Sequence, residues 1–156
     1  MHSIANRSEW QHPIASCASG PVVEWFALVS AHPGQRRPDL TPGFDVLRID
    51  EALEVRTRSL EAWQLQPGGY PGTAGASAYT FIPEYLLIAE RDAATMLVVD
   101  LRTGNRCGLI RQFDKVDNDD VTPTWKDTST LLDELIDALA TAPPSWAGNP
   151  PPRTDD

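Results

Sequence analysis

The sequence predicts an α+β domain in which an antiparallel meander of strands is flanked by helices. Three apolar runs, at 85–89, 95–101 and 109–113, are joined only by short segments carrying the turn signals Arg91-Asp92 and Thr103-Gly104-Asn105. Connections this short pair consecutive strands antiparallel. Apolar residues also recur at helical spacing around 21–30, 50–63 and 127–140, on either side of the strand region.

Residues 1–20 carry no sustained periodicity; Trp10 and Ile14 stand four apart, but Pro13 interrupts them, so this stretch reads as an arm. Pro21 suits a first helical turn, and Val22, Val23, Trp25, Phe26 and Val29 repeat at helical spacing until Pro33-Gly34 stops the run. The segment 32–43 is rich in Pro, Gly and Arg and reads as a loop. Asp50 and Glu51 then mark the start of a second helix, because carboxylates favour the positive end of its dipole. Ile49, Leu53, Leu60 and Trp63 fall on one face of it. The segment 66–77 contains PGGYPGTAGAS, which no element interior tolerates. It reads as a flexible surface loop, either functional or a plain insertion.

Within the strands, Met96-Leu97-Val98-Val99 is continuously apolar, as in a central strand covered on both faces. The last helix starts near 127–129, with Leu131, Leu132, Leu135, Ile136 and Leu139 as its apolar stripe and Pro143-Pro144 ending it. The Pro-rich remainder has the composition of a disordered tail. The organisation is thus an arm at 1–20, a single domain at 21–141 and a tail at 142–156.

Charge narrows the choice of partner. The chain has 13 Lys plus Arg against 22 Asp plus Glu, a formal net charge of −9. Nucleic acid is disfavoured as a direct ligand, since phosphate contacts supply most of the affinity in such complexes. A basic protein would be attracted and steered. The two cysteines, Cys17 and Cys107, form no CxxC pair and have no histidine at metal-ligand spacing. They read as ordinary thiols, with a pairing across the fold left open. No apolar stretch reaches the length of a membrane span and no secretory pattern opens the chain, so a cytoplasmic protein is expected.

The order of the elements, with the residues at their joints, resembles the SUKH superfamily, the Smi/Knr-like group of bacterial immunity proteins and fungal cell-wall regulators. VVEWFALVSAHPGQ at 22–35 and PGFDVLRIDEALE at 42–54 are similar to the helix, turn and Glu-Ala helix joint of that family. FIPEYLLIAERDAATMLVVDLRTG at 81–104 is similar to its aromatic, proline and paired apolar strands, the second ending in Asp-Leu. GLIRQFDK at 108–115 and TLLDELIDAL at 130–139 are similar to its last strand and closing helix. The resemblance spans about three quarters of the chain. It implies a mixed sheet flanked by helices, no enzymatic centre, and a role in binding another protein, typically a toxin made nearby.

The residues themselves offer one dense chemical feature, the carboxylates Asp114, Asp117, Asp119 and Asp120. An EF-hand loop counted from Asp114 needs Gly at its sixth position and Glu at its twelfth, where Asp119 and Trp125 stand, so no metal is expected. Three readings stay open: a solvated acidic loop, an acidic face for a basic partner, or side chains that cap nearby backbone. Trp125 sits in a loop position and is a candidate partner anchor. A catalytic triad finds little footing, because His2, His12 and His32 all lie in the first fifth of the chain and no G-x-S-x-G occurs. Neither a P-loop nor G-x-G-x-x-G is present, so no cofactor is expected. The reading favoured is a non-enzymatic immunity protein for a basic toxin, with a nuclease as the fitting kind, that uses Asp114, Asp117, Asp119, Asp120 and Trp125. The alternatives are a cytoplasmic regulatory adaptor and a hydrolase whose site would show as a deep polar pocket.

Overall fold

The computed structural model describes residues 19–30, 44–63, 67–92, 94–120 and 124–141. The expectations for most of the N-terminal arm, for the 32–43 loop and for the Pro-rich tail lie outside them.

Eight elements follow in order: α1 (Ser19–Ser30), β1 (Asp45–Val46), α2 (Ile49–Ala62), β2 (Tyr85–Arg91), β3 (Thr95–Asp100), β4 (Ile110–Asp114), β5 (Thr124–Trp125) and α3 (Thr128–Thr141). The five strands form one sheet in the order β1-β2-β3-β4-β5, antiparallel at every step. Its only parallel component among the described residues is a single bridge, Thr73 to Thr103, outside the named strands. The α+β meander with flanking helices is therefore observed, with two short edge strands added to the three long ones.

β3 is central because its neighbours on both sides are long strands, and Met96 to Val99 are all buried. Burying four consecutive side chains requires cover on both faces of the sheet. Beneath one face, Phe113, Phe81, Tyr85 and Trp63 meet edge to face, with centroids 5.4 Å apart for Trp63 and Phe113 and 5.5 Å for Phe81 and Phe113. Ala52, Val55 and Ser59 form the most buried line of α2, which packs on β2. Ile49, Leu53, Leu60 and Trp63 flank that line, half-buried against the core. Glu51 accepts a hydrogen bond from the Arg48 amide at 2.9 Å, satisfying a donor at the start of the helix.

The outer helices correct two expectations. In α1, Trp25 and Phe26 are buried but Val23 is 66% exposed; in α3, Leu131 is buried but Ile136 is 61% exposed. The two helices pack on each other, and α3 also packs on β5. An apolar stripe read from spacing is thus wider than the contact it makes.

Cys107 is disulfide-bonded, which corrects the expectation of an ordinary thiol. The one other cysteine in the sequence, Cys17, lies outside the described residues. Reduction is expected to lower stability by about 2–4 kcal/mol, read from urea unfolding with and without reductant. Thiol titration of the denatured, unreduced protein should find no free sulfhydryl.

Candidate functional site

The antiparallel register puts Tyr85 opposite Asp100 and Val98 opposite Arg111, and Val98 and Asp100 are two apart on β3. Side chains alternate along a strand, so Tyr85, Asp100 and Arg111 project from one face of the sheet. Arg102, just past β3, joins them. These charges are buried because each finds its opposite: Arg102 pairs with Asp100 at 2.7 Å and Arg111 with Asp119 at 2.8 Å. Two cations balance two carboxylates, as a buried cluster needs to.

Tyr85 links the two pairs. Its hydroxyl donates to Asp119 and lies 3.3 Å from Arg111 Nη1 and 3.5 Å from Arg102 Nη2. Burial, and then the hydrogen bond to Asp119, push its phenol well above the usual tyrosine range. Burial alone would lower the Arg102 guanidinium, but the bond to Asp100 and its charge raise it overall. Arg102 takes both Asp100 oxygens, through Nε at 2.9 Å and Nη2 at 2.7 Å.

What the cluster holds is the Gly-rich segment. Arg102 donates to the carbonyls of Pro71 and Ala76, each at 2.6 Å, and Arg111 donates to that of Gly75 at 2.9 Å. The Gly75 amide donates back to Asp100 at 2.9 Å. Gly75 has φ +89°, and a Cβ there would stand 2.5 Å from Arg106 Cδ, so the turn needs glycine. Tyr70 closes the entry by donating to Glu84 at 2.7 Å; burial and this bond raise its phenol to about 12. The segment read as a flexible insertion is in fact tied down by both buried arginines. Flexibility was inferred from composition, which does not show where carbonyls find donors.

The acidic residues divide. Asp119 is 2% exposed and takes no part in an open steering surface, contrary to expectation. Its oxygens accept from the amides of Ala78 and Tyr79, both at 2.7 Å, besides Tyr85 and Arg111. It is thus the capping alternative carried into the core. Asp114 is half-buried and accepts from the amides of Val116 and Asp117, at 2.8 and 2.7 Å, which closes the turn after β4. Asp117 is exposed, and Asp120 is half-buried beside Ser77 Oγ at 3.4 Å. Asp114, Asp117 and Asp120 therefore keep solvent contact on a turn fixed from below by Asp119. Trp125 is half-buried on β5 and donates through Nε1 to Glu134, so the free loop position expected for it is corrected.

A separate cleft of about 350 Å³ opens between the start of α1, the turn after β3 and the start of α3, with Arg106, Lys126 and Asp127 among its lining. The one carboxylate among its described lining residues is already engaged. Asp127 caps α3, accepting from the amide and hydroxyl of Thr130 at 2.8 and 2.9 Å, and these bonds hold it below the usual carboxylate range. Among the described residues no histidine or second acid lines the cleft. Among the described residues no group of three or more His, Cys, Asp or Glu is placed to hold a metal, and no helix is long and apolar enough to cross a membrane.

Replacing Asp127 with Ala is expected to cost about 1 kcal/mol at neutral pH. A depressed folded-state pKa gives stability that is present above the unfolded value and lost as pH falls through the folded one. The gap between wild type and variant should therefore close in acid, as followed by thermal melts from pH 7 to pH 2.

Comparison of the chain with protein-family profiles, curated proteins and solved structures finds no match.

Proposed function

We propose that the chain is a non-enzymatic protein-binding module of the SUKH type, an immunity protein that covers a basic toxin, with a nuclease as the fitting target. The sequence resemblance supplies the class. The observation that carries the reading is the construction of the acidic turn: a buried carboxylate, Asp119, fixes its base while Asp117, Asp114 and Asp120 keep solvent contact. A fixed set of carboxylates on a chain of net charge −9 favours fast association with a cationic partner.

The deciding experiment is co-expression with the product of the adjacent gene. Neutralisation of a toxic product supports the proposal; a neighbour that is harmless but bound favours a regulatory adaptor; no binding removes both. Changing Asp117 and Asp120 together to Asn is expected to slow association several-fold and flatten its salt dependence in stopped flow, with stability moving by less than ~0.5 kcal/mol. An unchanged on-rate would end the steering proposal. We place the chain in the cytoplasm, as an immunity protein for an intracellular target requires. On that placement Cys107, bonded in this structure, stands reduced inside the cell and forms its disulfide only on exposure to oxidant. Thiol blocking at the moment of cell lysis decides: a blocked Cys107 supports the cytoplasm, and an intact disulfide argues for an oxidising compartment.

A further inference from the structure

Tyr79 is exposed, yet its backbone is held in an unusual conformation. It has φ 58°, in the left-handed region that glycine and asparagine occupy readily and an aromatic residue does not. Its amide is held by Asp119 Oδ1 and that of Ala78 by Oδ2, and Asp119 is itself clamped by Arg111 and Tyr85. The ring is turned to solvent, 61% exposed, with no hydrogen-bond or ring contact to the described residues. Among the described residues no hydrogen bond or ring contact uses this aromatic side chain, which leaves it available for a use outside the fold.

Its surroundings define what it could receive. Asp120 follows Asp119 directly, Asp117 precedes it by two residues, and Val116, 84% exposed, by three. Three residues of chain reach at most about 11 Å, so the backbones of all three lie within that distance of Asp119, whose carboxylate holds the Tyr79 amide. Across 114–120 the solvent-facing charges are Asp114, Asp117 and Asp120 against the single cation Lys115, since Asp119 is spent on Arg111. The patch is therefore an aromatic and an aliphatic side chain beside a surplus of carboxylate.

We propose that Tyr79 anchors the partner-binding surface and receives an arginine from a basic segment of the partner protein. A guanidinium is planar, stacks on a tyrosine face and can fork onto a carboxylate at the same time, whereas an ammonium offers only a point charge. A tyrosine already fixed at its backbone loses little freedom on binding, which suits a hot-spot anchor. This rests on the protein-binding reading above and names the chemistry of its site.

The test uses the full chain and a fluorescein-labelled tri-arginine peptide at low salt, with tri-lysine and tri-glutamate peptides for comparison. Tri-arginine should bind most tightly, Tyr79→Ala should weaken it about three- to fivefold, and Tyr79→Phe should leave it unchanged. Matching far-UV spectra confirm that the variants are folded. No saturable binding, equal affinity for wild type and Tyr79→Ala, or equal affinity for tri-lysine would overturn the proposal. A wild-type dimer that Tyr79→Ala converts to monomer in sedimentation would also overturn it, assigning the patch to a second copy of the chain. A toxin neutralised equally by wild type and Tyr79→Ala would remove this anchor and leave the immunity reading standing. Tyr79-dependent peptide binding with no toxin neutralised would do the reverse.

Discussion

Asp119→Ala is expected to lower the unfolding free energy by about 3–5 kcal/mol, a large share of the ~5–15 kcal/mol that holds a domain of this size together. The side chain is 2% exposed and receives four hydrogen bonds, from the amides of Ala78 and Tyr79, the hydroxyl of Tyr85 and the guanidinium of Arg111. Truncation removes no large apolar surface; its cost is a cation and three neutral donors left buried without their acceptor. Asp119→Asn should recover only part of the loss, because its amide nitrogen would face donors where an oxygen accepted. Asp117→Asn, two residues away and exposed, should stay within about 0.5 kcal/mol of wild type. Urea unfolding of the three variants measures this directly. If Asp119→Ala and Asp117→Asn had similar midpoints, Asp119 would belong to the acidic surface and not to the core.

That contrast also shows where the sequence was readable. Long periodic segments were: Met96-Leu97-Val98-Val99 predicts β3, and Ile49, Leu53, Leu60 and Trp63 behind Asp50-Glu51 predict α2, because many residues vote for each. β1 and β5 have two residues apiece, too few to carry a period, and exist through pairing with β2 and β4. Within the acidic segment the four carboxylates look alike in sequence, and only the fold sends Asp119 inward. A signal was present elsewhere. Asp100 ends an apolar strand and Arg111 interrupts another between Ile110 and Phe113, positions at which a charge requires a buried partner. Following those charges to the opposite ones they need would have pointed to a core ion cluster, although not to which aspartate completes it. The left-handed backbone of Tyr79 left no trace, since tyrosine is not a residue chosen for that conformation.

Arg102→Ala should be as damaging as the loss of Asp119, at about 3–5 kcal/mol, and should in addition release the Gly-rich segment. Its guanidinium holds both oxygens of Asp100, the Pro71 carbonyl and the Ala76 carbonyl at once, with the Tyr85 hydroxyl at 3.5 Å. Without it Asp100 is left as a buried charge with only the amides of Gly75 and of residue 102 to satisfy it. The segment 70–77 then loses two of its anchoring bonds to the sheet, keeping those from Arg111. Hydrogen exchange at the Gly75 amide should accelerate more than exchange at the β3 amides, which report global unfolding. Arg102→Lys is expected to rescue little, since one ammonium cannot reach two carbonyls and both carboxylate oxygens from a single point. If Arg102→Ala cost less than about 1 kcal/mol and left Gly75 exchange unchanged, the segment would be held by its own turns and the cluster would have no part in ordering it.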